Sequence, residues 1–190
     1  KDKAMKKAMM LLLLCAATAW AQFPDSSETR MKVVFPSASL TRPNNNTPYT
    51  AWDVVNDSNS TAQILRFVNA AREIGGSGYV TGVKITTDSS NVTNGVFRLL
   101  ICADSVTGIA DNSPWTTLYA NRFKVLWSVT LALETAGSGS TGAMATADGI
   151  AKPFRCIATS RNLFGVLVAE QAYTPGRLQK FTVTLSIDRQ

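Results

Sequence analysis

The side chains able to do chemistry in this chain are few, and their spacing does not assemble a reaction. Histidine is absent from all 190 residues. That removes Ser-His-Asp and Cys-His catalysis, imidazole-ligated metals and histidine-based pH switching together. The three cysteines, Cys15, Cys102 and Cys156, show no CxxC spacing for zinc. Cys102 and Cys156 each lie in an apolar, strand-like run, which favours two buried thiols and leaves a bridge between them open, since a sequence does not set its geometry. Asp53 and Asp57, and separately Asp104, Asp111 and Asn112, are loop oxygen donors of the kind that hold calcium. The EF-hand register is missing, and the same residues make ordinary turns. Glu73, Glu134 and Glu170 stand at surface or strand-end positions, which leaves a carboxylate-pair glycosidase without its pair. The glycine–serine run 137–142 has a phosphate-loop composition, but Ala143-Met144 follows where Lys-Ser/Thr is required. Asn45, Asn59 and Asn91 head Asn-x-Thr sequons that read as turn chemistry. The expectation is a protein with no catalytic residues, no cofactor and no metal.

Charge narrows the partners. The formal net charge is +6, but residues 1–30 hold five Lys/Arg against three Asp/Glu. The fourteen later cations are scattered among ten anions, with no basic stripe interleaved with aromatics. A solvated basic surface is expected, and no nucleic-acid contact.

The elements that would position any site are strands. Charged residues are only 17% of the chain, and 21 Thr, 16 Ser and 11 Asn supply the polarity instead, a mixture suited to pleated surfaces and turns. Apolar runs at 62–68, 79–87, 96–103, 154–158 and 164–169 are separated by Gly, Asn and Pro. Val125, Trp127, Val129, Leu131 and Leu133 alternate with polar or small residues, as do Phe181, Val183, Leu185 and Ile187. The fold class expected is all-β, a β-sandwich or jelly roll of about eight strands over 53–190, with the alternating residues facing inward.

Two segments precede that domain. In residues 1–30, Lys3, Lys6 and Lys7 lead an apolar run and then Ala19-Trp20-Ala21, the layout of a cleaved secretory signal. An upstream extension fused near Met31 is the alternative. Residues 31–52 hold Pro36, Pro43, Pro48 and Asn44-Asn45-Asn46, so they read as an extended arm outside any central sheet. Its apolar Phe35, Leu40 and Tyr49 point to packing against another chain, and deleting 31–48 is expected to leave the β-domain folded.

The segment Ser39-Leu40-Thr41-Arg42-Pro43, followed by Pro48-Tyr49-Thr50-Ala51-Trp52-Asp53-Val54-Val55, resembles the opening of small structural virion proteins of tailed bacteriophages. The glycine break 75–78, the strand Phe97-Arg98-Leu99-Leu100-Ile101, the loop Asp111-Asn112-Ser113-Pro114-Trp115 and the closing run 181–188 add to it. The resemblance implies a head-decoration (cement) protein on the capsid surface. It implies as partners the major capsid protein lattice and sister copies in a homo-oligomer such as a trimer, with no membrane in the mature form. Phe35, Leu40, Arg42, Pro43, Tyr49, Trp52 and Trp115 are the expected interface residues. A secreted or surface binding module, for carbohydrate or host adhesion, is the alternative if 1–30 is a cleaved signal.

Overall fold

The computed structural model describes residues 32–59, 62–116, 121–135, 137, 139 and 141–190; the leader expected over 1–30 lies outside them. Residues 32–190 form one compact unit of two antiparallel sheets facing each other, with no α-helix among the described residues. The larger sheet contains β1 (Lys32–Val34), β2 (Ser37–Thr41), β5 (Ser77–Thr87), β8 (Glu134–Thr135), β9 (Ala143–Arg155) and β11 (Lys180–Arg189). Its order is β1-β11-β5-β9-β8, with β2 also on β11. The smaller sheet contains β3 (Val54–Val55), β4 (Leu65–Phe67), β6 (Val96–Cys102), β7 (Val125–Ala132) and β10 (Leu163–Ala169). There the order is β3-β10-β6-β7, with β4 also on β10.

Period-two patterning explains the main core. Phe181, Val183, Leu185 and Ile187 turn inward from β11 and meet Phe97, Leu99, Ile101, Leu131 and Leu167 from the other sheet. Phe97 and Phe181 touch edge-on across the sandwich, ring centroids 5.3 Å apart, and burying each such side chain contributes roughly 1.5–3 kcal/mol. One position departs from the alternation. β6 and β7 slip register between Ile101 and Cys102, so Ile101 faces Trp127 while Cys102 faces Val125. Leu126 is the extra residue, and Val125 changes face: it packs in a second cluster while Trp127 and Val129 stay against the first.

That second cluster covers the outer face of the smaller sheet. Val54, Leu100, Cys102, Val166 and Val168 lie there under Val106, with Ile109 and Trp115 packed alongside. A sheet buried on both faces needs continuous apolar strands instead of alternating ones, which is why β6 and β10 read Leu99-Leu100-Ile101-Cys102 and Val166-Leu167-Val168-Ala169. Both cysteines in this unit are free and buried.

The segment expected as an extended arm is extended, and its 32–41 part lies along an edge of the larger sheet. β1 pairs Val33 with Asp188 and β2 pairs Ser37 with Thr184. The register is unbroken, so 32–41 is one edge strand of the larger sheet, interrupted only at Pro36. The Pro36 carbonyl accepts a hydrogen bond from the Leu185 amide at 3.0 Å but its own nitrogen has none to return, a loss that an edge tolerates.

Candidate functional site

Two short motifs some sixty residues apart in sequence come together here. Next to β3, the segment 52–56 runs beside 111–115. The Trp115 amide donates to the Trp52 carbonyl at 2.7 Å, the Val54 amide to the Ser113 carbonyl at 2.9 Å and the Asn112 amide to the Val54 carbonyl at 2.9 Å. Asp53 and Pro114 face each other as a bridge pair.

Arg42 and Asp111 lock this junction from beneath. Their side chains are fully buried, and Arg42 Nη2 lies 2.8 Å from Asp111 Oδ2. Arg42 Nε donates to the Tyr49 hydroxyl, which in turn donates to Asp111 Oδ1 at 2.6 Å. The Asn56 amide reaches the same Oδ1 at 3.0 Å. Arg42 Nη1 bonds the carbonyls of Asn45 and Gly176 at 3.4 and 3.3 Å. Burial first, and the Asp111 charge second, push the Tyr49 hydroxyl well above the usual tyrosine range, while Arg42 opposes the shift. Tyr49 is therefore a neutral donor. Its ring stacks with Tyr173 at 6.5 Å. The Tyr173 hydroxyl, also shifted upward chiefly by burial, lies 3.2 Å from Gln179 Oε1. The arrangement satisfies its charges internally and offers no open base or nucleophile. Asp111, one of the candidate calcium donors, is spent on Arg42, Tyr49 and Asn56. Among the described residues no group of three His, Cys, Asp or Glu is placed to hold a metal.

Above the lock, the chain turns sharply over residues 50–53. The Asp53 amide bonds the Thr50 carbonyl at 3.2 Å, and Asp53 Oδ2 accepts from the Thr50 amide at 2.6 Å and its hydroxyl at 2.8 Å. Trp52, third in the turn, has φ 73°, where glycine fits without strain. A bulky residue there costs on the order of 1–3 kcal/mol. The Trp52 amide, bonded to the Ala169 carbonyl at 2.7 Å, helps hold it in place. Trp52 remains 43% exposed, with the Arg98 guanidinium 4.7 Å from its ring centroid. Arg98 pairs with Glu170.

The expected interface residues thus divide. Leu40, Arg42 and Tyr49 are buried in this unit, which corrects their assignment to a partner surface: the edge strand and the ion pair draw them inside. Pro43 and Trp115 are half-buried, while Phe35, at 66%, and Trp52 are exposed. The sequence reading placed Arg98 in the strand 97–101 and Glu170 at a strand end, and missed the pair they form. The signal was there in Arg98, a lone charge inside the apolar run of β6.

No family model matches the chain, and no curated protein sequence matches it. Among solved structures it is similar to the capsid of Helicobacter pylori bacteriophage KHP30, with 12% identity over 82% of this chain and 91% of that one, at a TM-score of 0.30. Desmodium yellow mottle tymovirus gives 12% identity over 82% and 85%, at 0.28. The CBM22-1–GH10 modules of Clostridium thermocellum xylanase 10B give 11% identity over 82% and 26%, at 0.29. Scores this low carry no argument about function.

Proposed function

We propose that this chain is a non-enzymatic structural protein of a virus particle, attached to the capsid surface as a decoration that stabilises the shell by burying area. The observation that supports this reading is the convergence of the two motifs carrying the phage resemblance. Arg42, Tyr49, Trp52 and Asp53 from one, and Asp111, Asn112, Pro114 and Trp115 from the other, build one junction. That junction fixes exposed or half-exposed tryptophans on a rigid frame, and Trp is favoured where protein contacts concentrate their energy. Contacts from Phe35, Trp52 and Trp115 to the major capsid protein, and to sister copies in a homo-oligomer, would be repeated over a lattice. There, neighbours raise the effective concentration of each copy.

The test is to strip the protein from particles, add it back across a salt series, and record particle melting. With few ionic contacts, rebinding should weaken only slightly as salt rises, and melting should fall when the protein is absent. Steep release by salt, or unchanged melting, overturns the decoration reading.

A further inference from the structure

Two turns at one end of the sandwich carry residues that turns seldom hold. Turn corners favour Gly, Pro, Asn, Asp and Ser. The turn closed by the Gly76 amide on the Glu73 carbonyl, at 3.1 Å, instead puts Ile74 at a corner, 65% exposed. The turn closed by the Lys124 amide on the Asn121 carbonyl, at 3.0 Å, puts Phe123 at a corner, 77% exposed. The Arg122 guanidinium lies 4.2 Å from the Phe123 ring centroid. Strand register places both turns at the same end. Phe67, ahead of the first, pairs with Leu163 at the start of β10. The Lys124 carbonyl, in the second, accepts from the Ala103 amide just past the Cys102–Val125 pair.

The same topology gathers cations that the sequence scatters. The first turn leads into β5, where Ser77 stands opposite Arg155 and Gly78 opposite Arg189. The Ala71 amide bonds the Arg161 carbonyl at 2.9 Å and the Gly75 amide bonds the Ser160 carbonyl at 2.8 Å, so Arg72 and Arg161 belong to adjoining loops. Arg72, Arg155 and Arg161 are exposed, and Arg189 Nη1 reaches the Asn69 carbonyl at 3.4 Å. The carboxylates set against these arginines at this end are Glu73 and Asp188. Lys124 and Asp104 pair with each other at 3.2 Å and cancel.

We propose that this end of the unit docks on an anionic lipid bilayer, with Ile74 and Phe123 entering the headgroup–acyl boundary and the arginines taking lipid phosphates. This binding function is separate from attachment to a shell, uses none of the residues assigned there, and departs from the expectation of no membrane partner. Apolar groups and cations on one surface are what interfacial binding requires, and the arginine fork matches phosphate oxygens two at a time. A protein hot spot clusters its anchors and rings them with water-excluding contacts. Here the strand order β4-β10-β6-β7 sets the two apolar corners at opposite edges of the smaller sheet, with Arg161, just before β10, between them. A fluid lipid surface accepts such separated points without matching their shape, and its anions can move to each arginine. A nucleic acid would use the charge and a ring to stack on, but the aliphatic corner at Ile74 gives it nothing.

The experiment mixes the full chain with vesicles of phosphatidylcholine, alone or with an equal share of phosphatidylglycerol, and reads the bound fraction by flotation at low and high salt. Residues 1–30 hold an apolar run of their own, so the measurement compares variants of the full chain. The native chain should prefer the anionic vesicles, and salt should weaken that preference. The double variant Arg72→Gln, Arg161→Gln should bind them about thirtyfold more weakly. The double variant Ile74→Ser, Phe123→Ser should bind about tenfold or more weakly. Both should melt as the native chain does, since the replaced side chains are exposed. Lys180→Gln, at the opposite end of β11, should bind unchanged. Native-like vesicle binding by either double variant overturns the proposal. If only the arginine variant weakens, and a single-stranded oligonucleotide binds with the same pattern, the end reads charge alone and takes a soluble polyanion instead. The decoration reading is decided by particle melting, which none of these outcomes moves.

Discussion

Arg42 and Asp111 are fully buried, and at this scale a single atom decides much of the stability. Asp111→Asn keeps the shape but leaves the Arg42 charge without a counter-ion, and should cost about 3–5 kcal/mol in urea unfolding. Replacing Arg42, Tyr49 and Asp111 together by Met, Phe and Leu should cost less than Asp111→Asn alone, since no buried charge is then left unpaired. The buried thiols set a second expectation. Burial raises Cys102 to about 12, with the Lys124 charge opposing, and raises Cys156 to about 11. In the unfolded chain both titrate near the ordinary thiol value of about 8.5. Above that pH the unfolded state sheds protons the folded state keeps, so unfolding is favoured as pH rises. Their contribution is complete below about pH 8.5 and drains away towards the folded values. Melting temperatures from pH 7 to 11 should fall, and a Cys102→Ala, Cys156→Ala double variant should fall less steeply.

The strands show which elements the sequence made legible. β7 and β11 were readable because one face of each meets the core, and that burial imposes period two on the residue types. β9 was not, because its inward residues Ala143, Ala145 and Ala147 are small and its span contains Gly149 and Pro153. The edge strand 32–41 was hidden by Pro36, which argues against a central strand and says nothing against an edge. The junction was legible only as two separate motifs, since the contact of Arg42 with Asp111 is a product of topology. The consequence for truncation reverses the expectation drawn from composition. Deleting 31–48 removes β1, β2, Leu40 and Arg42, strips β11 of one neighbour and leaves the buried Asp111 without its counter-ion. The truncated protein should lose cooperative melting by circular dichroism; a retained sharp transition would restore the independent-arm reading.

The larger sheet carries guards on both sides at the scale of the whole unit. Pro36 interrupts one edge, and on the other three residues of β9, 149–151, face Thr81 alone between the Val80–Lys152 and Gly82–Asp148 pairs. Gly149 and Ala151 there have φ of 67° and 43°, a bulge that bends the outer strand away from flat pairing. Unguarded sheet edges would otherwise risk joining edge to edge between molecules. Pro36→Val should therefore raise thioflavin-positive aggregation at high concentration, with native-like melting at low concentration. The place of β11 in the chain carries a different consequence, one of timing. It lies between β1/β2 and β5, yet it is the last of these strands to be made. During synthesis at about 5–20 residues per second, the 32–41 segment waits on the order of ten seconds for β11, its sheet partner among the described residues, to be translated. The larger sheet therefore closes late, after most of the chain has left the ribosome, and a chain that stalls before residue 180 has no strand to hold its two halves together.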